Sequence, residues 1–335
     1  MTQDSRRIDG RCLMIAQETA PGQGEDAYAA ETDALGGLLC VADGCGGIGS
    51  RRYTRLEGRT EAYMAARITV QCVREWVLTL DGHSLPADAQ AARSCAEALR
   101  TALRERLTAF HAEHRNEVDS RLIMRGLQRT LPTTLCAALM DARRPGRLSC
   151  VFFWAGDSRG YILTPKGLRQ CTADHVAGRA DALENLYRDA RLSNMVNADG
   201  DFHIDTYGLT LDKPCIVLTA TDGAFGYLPT PMEFELLLLS TLEAAADLHG
   251  WQARLHNAIR KYASDDATLT LACYGAEDFP ALQQAFTGRR AALQQEFVTP
   301  VRRRRQNIEF ARSLWADYRL RYELPTEVCD ADWRL

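Results

Sequence analysis

The chain has 335 residues, 46% of them hydrophobic and 25% charged, with 24 Gly and 11 Pro. This is an ordinary globular mixture that excludes collagen-like, coiled-coil and disordered classes and is long enough for about two domains. Forty basic against 44 acidic side chains leave a net charge of -4, so no overall positive field draws the molecule to nucleic acid or an anionic membrane.

From Met1 to Gly10 the chain is polar with no apolar stretch behind it, and nowhere does an apolar run approach the length of a membrane span. A soluble, cytoplasmic protein is expected. Eleven cysteines without a C-x-x-C pair read as buried, reduced thiols rather than a disulfide framework or a thiolate zinc site. Only Lys166, Lys213 and Lys261 are lysines, which leaves few candidates for Schiff-base or Walker-lysine chemistry.

Residues 11–17 predict a first strand, and 37–42 a more buried second one ending at Asp43-Gly44. Ala65, Ile68, Cys72 and Trp76, then Leu99, Leu103, Leu107 and Phe110, recur at helical spacing around a break at Gly82 to Pro86. Strand signals return at 133–140, 148–155, 160–163, 202–206, 215–220 and 268–274, with turn residues at Arg144-Pro145-Gly146 and Pro165-Lys166-Gly167. Paired helices beside hairpin-joined strands predict an α+β sandwich rather than a doubly wound sheet. Beyond Gly275, Leu282, Phe286, Leu293 and Phe297 share one helical face; after Pro300, Ile308, Ala311, Trp315, Tyr318 and Tyr322 share another. This helical extension carries the basic run Arg302 to Arg305. It is expected to pack on the rest through Trp315 and Tyr318, with recruitment of an acidic or phosphorylated partner through the arginines as the alternative.

The aspartates fall in a telling pattern. Asp26 follows Gly24-Glu25, Asp43 and Asp222 each end a strand and precede a glycine, and Asp265-Asp266 precede the last strand. A carboxylate at a buried strand end is costly unless it is paired or binds a cation. With lysine scarce, a hard divalent ion held by oxygen ligands, Mg²⁺ or Mn²⁺ rather than zinc, is the natural neutraliser. Gly44-Cys45-Gly46-Gly47-Ile48-Gly49 also satisfies G-x-G-x-x-G. A dinucleotide fold would need an acid ending a strand some 20 residues on, where Glu61 to Val70 is helical in spacing, and Asp43 would face the pyrophosphate.

Seven ordered blocks resemble the PPM/PP2C family of metal-dependent serine/threonine phosphatases from about Arg11 to Tyr274. They are Glu25-Asp26-Ala27-Tyr28, Val41-Ala42-Asp43-Gly44-Cys45-Gly46-Gly47, Thr133-Thr134, Gly156-Asp157-Ser158-Arg159-Gly160-Tyr161, Thr172-Ala173-Asp174-His175, Thr221-Asp222-Gly223 and Asp265-Asp266-Ala267-Thr268. The resemblance implies a four-layer α-β-β-α sandwich of two antiparallel sheets flanked by helix pairs over residues 1–275, with 276–335 as a helical C-terminal extension. It implies two Mn²⁺ or Mg²⁺ ions, with Asp43 bridging them, the Gly44 carbonyl completing one, Asp222 and Asp265 on one, and Asp26 and Glu25 around the other. Asp157 would serve a weaker third ion, and a ligand role for Asp266 is less secure. Asp26, Asp43 and Asp222 would act in catalysis through a water bridging the ions, which attacks phosphoserine or phosphothreonine with no protein nucleophile. Ser158, outside any G-x-S-x-G elbow, is not expected to attack.

Two departures stand out. Many members carry a phosphate-gripping Arg where this chain has Pro21, and Arg51 or Arg52 are candidate substitutes. Cys45 stands where some members have a His, and a thiol is a poor acid for the leaving group at neutral pH. His175 is expected to be structural. The expected partners are a phosphorylated protein and a cognate kinase or its targets. The competing reading is a catalytically weak or inactive PP2C-like module that binds phosphoproteins as a scaffold.

Overall fold

Strands that are apolar on both faces need cover on both sides. The computed structural model describes residues 8–80, 84–117, 129–178, 180–188, 190–304 and 307–324. Its strands are β1 (Cys12–Gln17), β2 (Ala27–Asp33), β3 (Gly36–Ala42), β4 (Arg52–Tyr53), β5 (Arg59–Thr60), β6 (Leu135–Asp141), β7 (Arg147–Ala155), β8 (Arg159–Thr164), β9 (Gly167–Gln170), β10 (Asp205–Asp212), β11 (Cys215–Ala220) and β12 (Ala267–Tyr274). Its helices are α1 (Glu61–Leu78), α2 (Ala89–His114), α3 (Ala182–Asn185), α4 (Pro231–Glu243), α5 (Leu248–Ile259), α6 (Phe279–Leu293), α7 (Thr299–Arg303) and α8 (Ile308–Tyr322).

One antiparallel sheet has the order β10-β7-β6-β3-β2 and the other β1-β12-β11-β8-β9, while β4 and β5 form a separate ribbon. Period-2 alternation sends Leu39 and Val41 of β3 into the core between the sheets, with Phe152, Trp154, Ile162, Val217 and Tyr274. The intervening Leu38, Cys40 and Ala42 face α1 and α2. Leu269, Leu271 and Cys273 of β12 turn the other way, onto α4 and α5. The expected four-layer α-β-β-α sandwich is the architecture found.

Residues after Gly275 share that second outer core. Leu282, Phe286, Leu293, Trp315, Tyr318 and Tyr322 lie in one cluster with Trp251, Leu269 and Tyr161. Glu235 of α4, fully buried, ties the layer together. It accepts two hydrogen bonds from Arg289 at 2.6 and 2.8 Å and one from the Tyr318 hydroxyl. Arg302 is held in the same way by Glu233, so it is not a free member of the basic run; Arg305 lies outside the described residues.

Two expectations shift. The strand predicted at 202–206 is β10, because Phe202 and Ile204 pack into the α1/α2 core ahead of it. The register with β7, Asp205 opposite Trp154 through Asp212 opposite Arg147, then fixes the strand. Pro300 does not break the last helical segment: α6 passes through a π turn at Gln294–Val298 into α7. The wider turn suits a proline that lacks the N–H an α-helical turn would use. The break predicted at Gly82 to Pro86 lies partly outside the described residues, which resume at Ser84.

Candidate metal centre

Strand direction brings the aspartates to one end of the sandwich. β3 ends at Ala42 opposite Ala27, where β2 begins, so Asp43 and Asp26 lie side by side. β11 ends at Ala220 opposite Leu269 near the start of β12, which puts Asp222 beside Asp265 and Asp266. The crossing from β7 to β8, between the two sheets, passes the same end at Gly156-Asp157-Ser158.

Backbone and hydroxyl groups fix several of these residues. The Asp43 N–H donates to Thr134 Oγ1 at 3.0 Å, and its carbonyl accepts from the Thr134 N–H at 2.8 Å and the Thr133 hydroxyl at 2.7 Å. Thr221 Oγ1 accepts from the Thr268 N–H at 2.9 Å and donates to Asp26 Oδ2 at 2.8 Å, linking the two sheets through one hydroxyl. Thr60 caps α1 by accepting from the Tyr63 N–H at 3.0 Å, and its hydroxyl also donates to Glu25. Asp266 accepts from the N–H groups of Thr19 and Glu25, both at 2.7 Å, so it braces the Glu25 loop. Two glycines leave no room for a Cβ, at Gly46 unless the end of the Glu25 side chain moves and at Gly223 because the obstacle is backbone. A Cβ on Gly46 would lie 2.1 Å from Glu25 Oε2, and one on Gly223 1.9 Å from the Asp266 carbonyl. Gly44 bridges to Thr133 and packs against the Ala62 carbonyl, which a Cβ would meet at 2.5 Å.

These carboxylates repel one another. Burial, then the charges of Asp222 and Asp266, lift Asp26 to about 7 against the pull of its Thr221 and Thr268 hydrogen bonds. Burial with Asp222 and Asp174 lifts Asp157 to about 8. Asp43 is raised well above the ordinary carboxylate range by burial and by Asp26, Asp222, Asp157 and Asp265. Burial and Asp265 raise Asp222 as well. The cation that acts on both Asp157 and Asp222 is Arg159, and its guanidinium is fixed to Asp174 by two hydrogen bonds of 2.8 and 2.6 Å. Asp26 Oδ1 is buried with no hydrogen-bond partner. A set of converging carboxylates, a bare buried oxygen and a neighbouring Arg159 already committed to Asp174 fit a hard divalent ion with oxygen ligands.

Of the sequence candidates, Glu25, Asp26, Asp43, Gly44, Asp157, Asp222 and Asp265 come together here. The two arginines do not share one environment. Arg51 hydrogen-bonds Glu61 at 2.8 Å, and that carboxylate is fully buried on α1. Arg52 donates to the Gly58 carbonyl at 2.7 Å, and its charge lowers the pKa of Glu25, whose net shift is upward through burial. Arg59 was not foreseen. It donates to the Gly22 carbonyl, beside Pro21, and stacks 4.4 Å from the Tyr63 ring, against which Arg67 also lies at 3.3 Å. The recurrence of Arg59, Tyr63 and Arg67 every four residues was the available signal.

Cys45 stays a thiol, since burial and the neighbouring Asp43 push its pKa well up. The Ser158 hydroxyl is buried and hydrogen-bonded to Thr134 at 2.6 Å.

A second group, His175, His203 and Asp205, brings three ligand-type atoms within 4.8 Å. Its hydrogen bonds argue against an ion. His175 Nδ1 accepts from the Gly156 N–H at 3.1 Å and from Asn194 Nδ2 at 2.9 Å. The Asn194 amide is oriented by the His203 backbone, accepting from its N–H at 3.1 Å and donating to its carbonyl at 2.9 Å. The proton of His175 therefore sits on Nε2, 3.0 Å from Asp205 Oδ2. A ligating imidazole needs its other nitrogen as a donor, and here two donors face it. His175 instead tethers the loop that carries Asp157.

No protein-family model matches the chain. In sequence it is 27% identical over 222 residues to the serine/threonine phosphatase stp of Listeria monocytogenes, covering 63% of this chain and 76% of that protein. Among solved structures it is similar to the serine/threonine phosphatase PstP of Mycobacterium tuberculosis (19% identity, TM-score 0.54, 79% of this chain and 98% of that one). It is also similar to Stp1 of Staphylococcus aureus (16% identity, TM-score 0.57, 80% and 96%). A catalytic domain of PstP in complex with two manganese ions matches at 18% identity and TM-score 0.52, covering 79% and 98%. The chain has the fold of these PPM/PP2C-type phosphatases and resembles them in sequence.

Proposed function

We propose that the chain is a Mn²⁺- or Mg²⁺-dependent protein serine/threonine phosphatase that hydrolyses phosphoserine or phosphothreonine with water as the nucleophile. The observation that carries this reading is the group of mutually repelling carboxylates with the unpartnered Asp26 Oδ1 in it. Asp43, Asp26, Asp222, Asp265, Glu25 and the Gly44 carbonyl would hold two ions, and Asp157 would serve a weaker third. When bound, the ions supply an activated water and screen the phosphoryl oxygens. The two-manganese complex of PstP, a protein of the same fold, supports the choice of ion.

The chain's own residues do the rest. Thr221 holds Asp26 in one orientation, and Thr133 and Thr134 hold the backbone of Asp43. With Ser158 engaged by Thr134 and Cys45 kept as a thiol, neither is offered as a nucleophile. Arg59, beside the loop of Pro21, and Arg52, near Glu25, are the groups proposed to meet the substrate phosphate; Arg51 is committed to Glu61. No helix among the described residues is long and apolar enough to cross a membrane. The ten described cysteines are free, which suits the reducing cytoplasm we propose as its compartment. A phosphorylated protein is the proposed partner. The test is hydrolysis of p-nitrophenyl phosphate by the full chain: turnover with Mn²⁺, lost on chelation and restored by Mn²⁺, supports the reading. Bound Mn²⁺ without turnover on this ester or on a phosphothreonine peptide favours the scaffold instead.

A further inference from the structure

β8 and β11 run between the aspartate end of the sandwich, at Arg159 and Ala220, and the opposite end, at Thr164 and Cys215. Six residues of strand separate the two ends by about 20 Å. At the far end a cleft of about 600 Å³ opens between the β8–β9 turn, the segment joining β10 to β11 and the C-terminal helices. That volume lies in the range of small-molecule sites, about 300–1,000 Å³.

Its floor is apolar, built from the buried Leu168, Leu209 and Tyr318 and the half-buried Leu211 and Phe297. The π turn, which ends just before Pro300, carries Phe297, whose ring meets Tyr318 edge-on with centroids 5.3 Å apart. Such turns recur at functional sites. The rim is cationic. Lys166, Arg169, Lys213 and Arg321 line it, two of them among the chain's three lysines, and none has a carboxylate within 4 Å among the described residues. Lys213 donates one N–H to the Ala142 carbonyl. A further arginine, Arg289, is fixed to Glu235. Of the carboxylates on the rim, Asp212 pairs with Arg147 at 3.1 Å, which leaves Glu296 and Asp317 against four cations. Unpaired like charges around an apolar hollow focus a positive potential into it.

We propose that this cleft binds a small amphipathic organic anion, its flat apolar body on the floor and its carboxylate, sulfonate or phosphate at the Lys166 and Arg321 rim. The site is separate from the carboxylate centre and does not depend on the phosphatase reading. The probe is 1-anilinonaphthalene-8-sulfonate, titrated into the full Mn²⁺-loaded chain and followed by fluorescence. N-phenyl-1-naphthylamine, the same skeleton without the sulfonate, is the neutral control. Saturable one-site binding is expected, weakened about tenfold or more in the Lys166→Glu/Arg321→Glu variant, with the neutral probe about tenfold weaker on the wild type. Both positions are exposed, and Lys166→Gln/Arg321→Gln, expected to weaken binding about threefold or more, decides the matter if charge reversal lowers the thermal midpoint. Equal affinity of the anionic probe for wild type and for the variants that fold overturns the proposal. So does equal affinity of the two probes, or the lack of saturable binding.

Discussion

Thr221 illustrates how one hydroxyl serves a centre it does not itself complete. It accepts from β12 and donates to Asp26, so Thr221→Val should weaken Mn²⁺ affinity about 10- to 100-fold, the usual effect of losing a group that orients a ligand. A calorimetric Mn²⁺ titration checks this, and unchanged affinity would show that Asp26 needs no such orientation. Arg51, named from the sequence, and Arg59, which only the structure points to, should separate by readout. Arg51→Ala strands the buried Glu61 and should cost about 3 kcal/mol in denaturant unfolding. Arg59→Ala should leave stability nearly unchanged and raise KM for a phosphothreonine peptide. The acids were legible because a carboxylate at a strand end next to glycine breaks local rules. Arg59, Thr60 and Thr221 were not, because their roles arise from contacts with residues distant in sequence: Gly22 for Arg59, Glu25 for Thr60 and Asp26 for Thr221.

At the scale of elements, β3, β11 and β12 could be read directly, since covered strands give continuous apolar runs bounded by Asp-Gly or Asp-Asp. α4 gave no comparable signal. Its Leu236 to Leu239 run is enclosed by its neighbours on almost every side, so the polar stripe that marks a helix is missing. β10 was misplaced because Phe202 and Ile204 look like strand residues but belong to the helix-facing core. The C-terminal helices were legible as amphipathic, but their partners were not. Sharing one core with β12 and α4, they should be required for folding. A chain ending at Gly275 should be insoluble or unfold well below the full chain, and a soluble truncation with an unchanged thermal midpoint would show two independent units. Within that layer Arg289→Ala leaves Glu235 buried with only Tyr318 as partner, and about 3–5 kcal/mol of stability should be lost in denaturant unfolding.

Across the whole molecule a net charge of -4 conceals a strongly uneven distribution, with acids concentrated at one end of the sandwich and unpaired cations in a cleft at the other. The acidic end makes the stability of the metal-free protein depend on pH with a definite sign. Asp26 and Asp157, at about 7 and about 8 when folded, bind protons that the unfolded chain has already released. Stability is therefore greatest below the ordinary carboxylate value, near pH 4, with respect to these groups, and falls as pH rises through 7 and 8. Thermal midpoints of the chelated protein should be lower at about pH 8.5 than at about pH 6, and Mn²⁺ should narrow the gap. A rising midpoint over that interval would mean that the carboxylates do not converge as described.

Hydrolysis of phosphate esters at this end of the sandwich is proposed to run through ions held by its aspartates. Its most direct test is the turnover of a phosphothreonine peptide by the Mn²⁺-loaded full chain, measured beside Asp43→Asn protein shown to keep its fold. Turnover by the wild type and a loss of about 10³-fold or more in the variant are expected. A wild type that binds Mn²⁺ without turnover, or a variant that retains full activity, would contradict it.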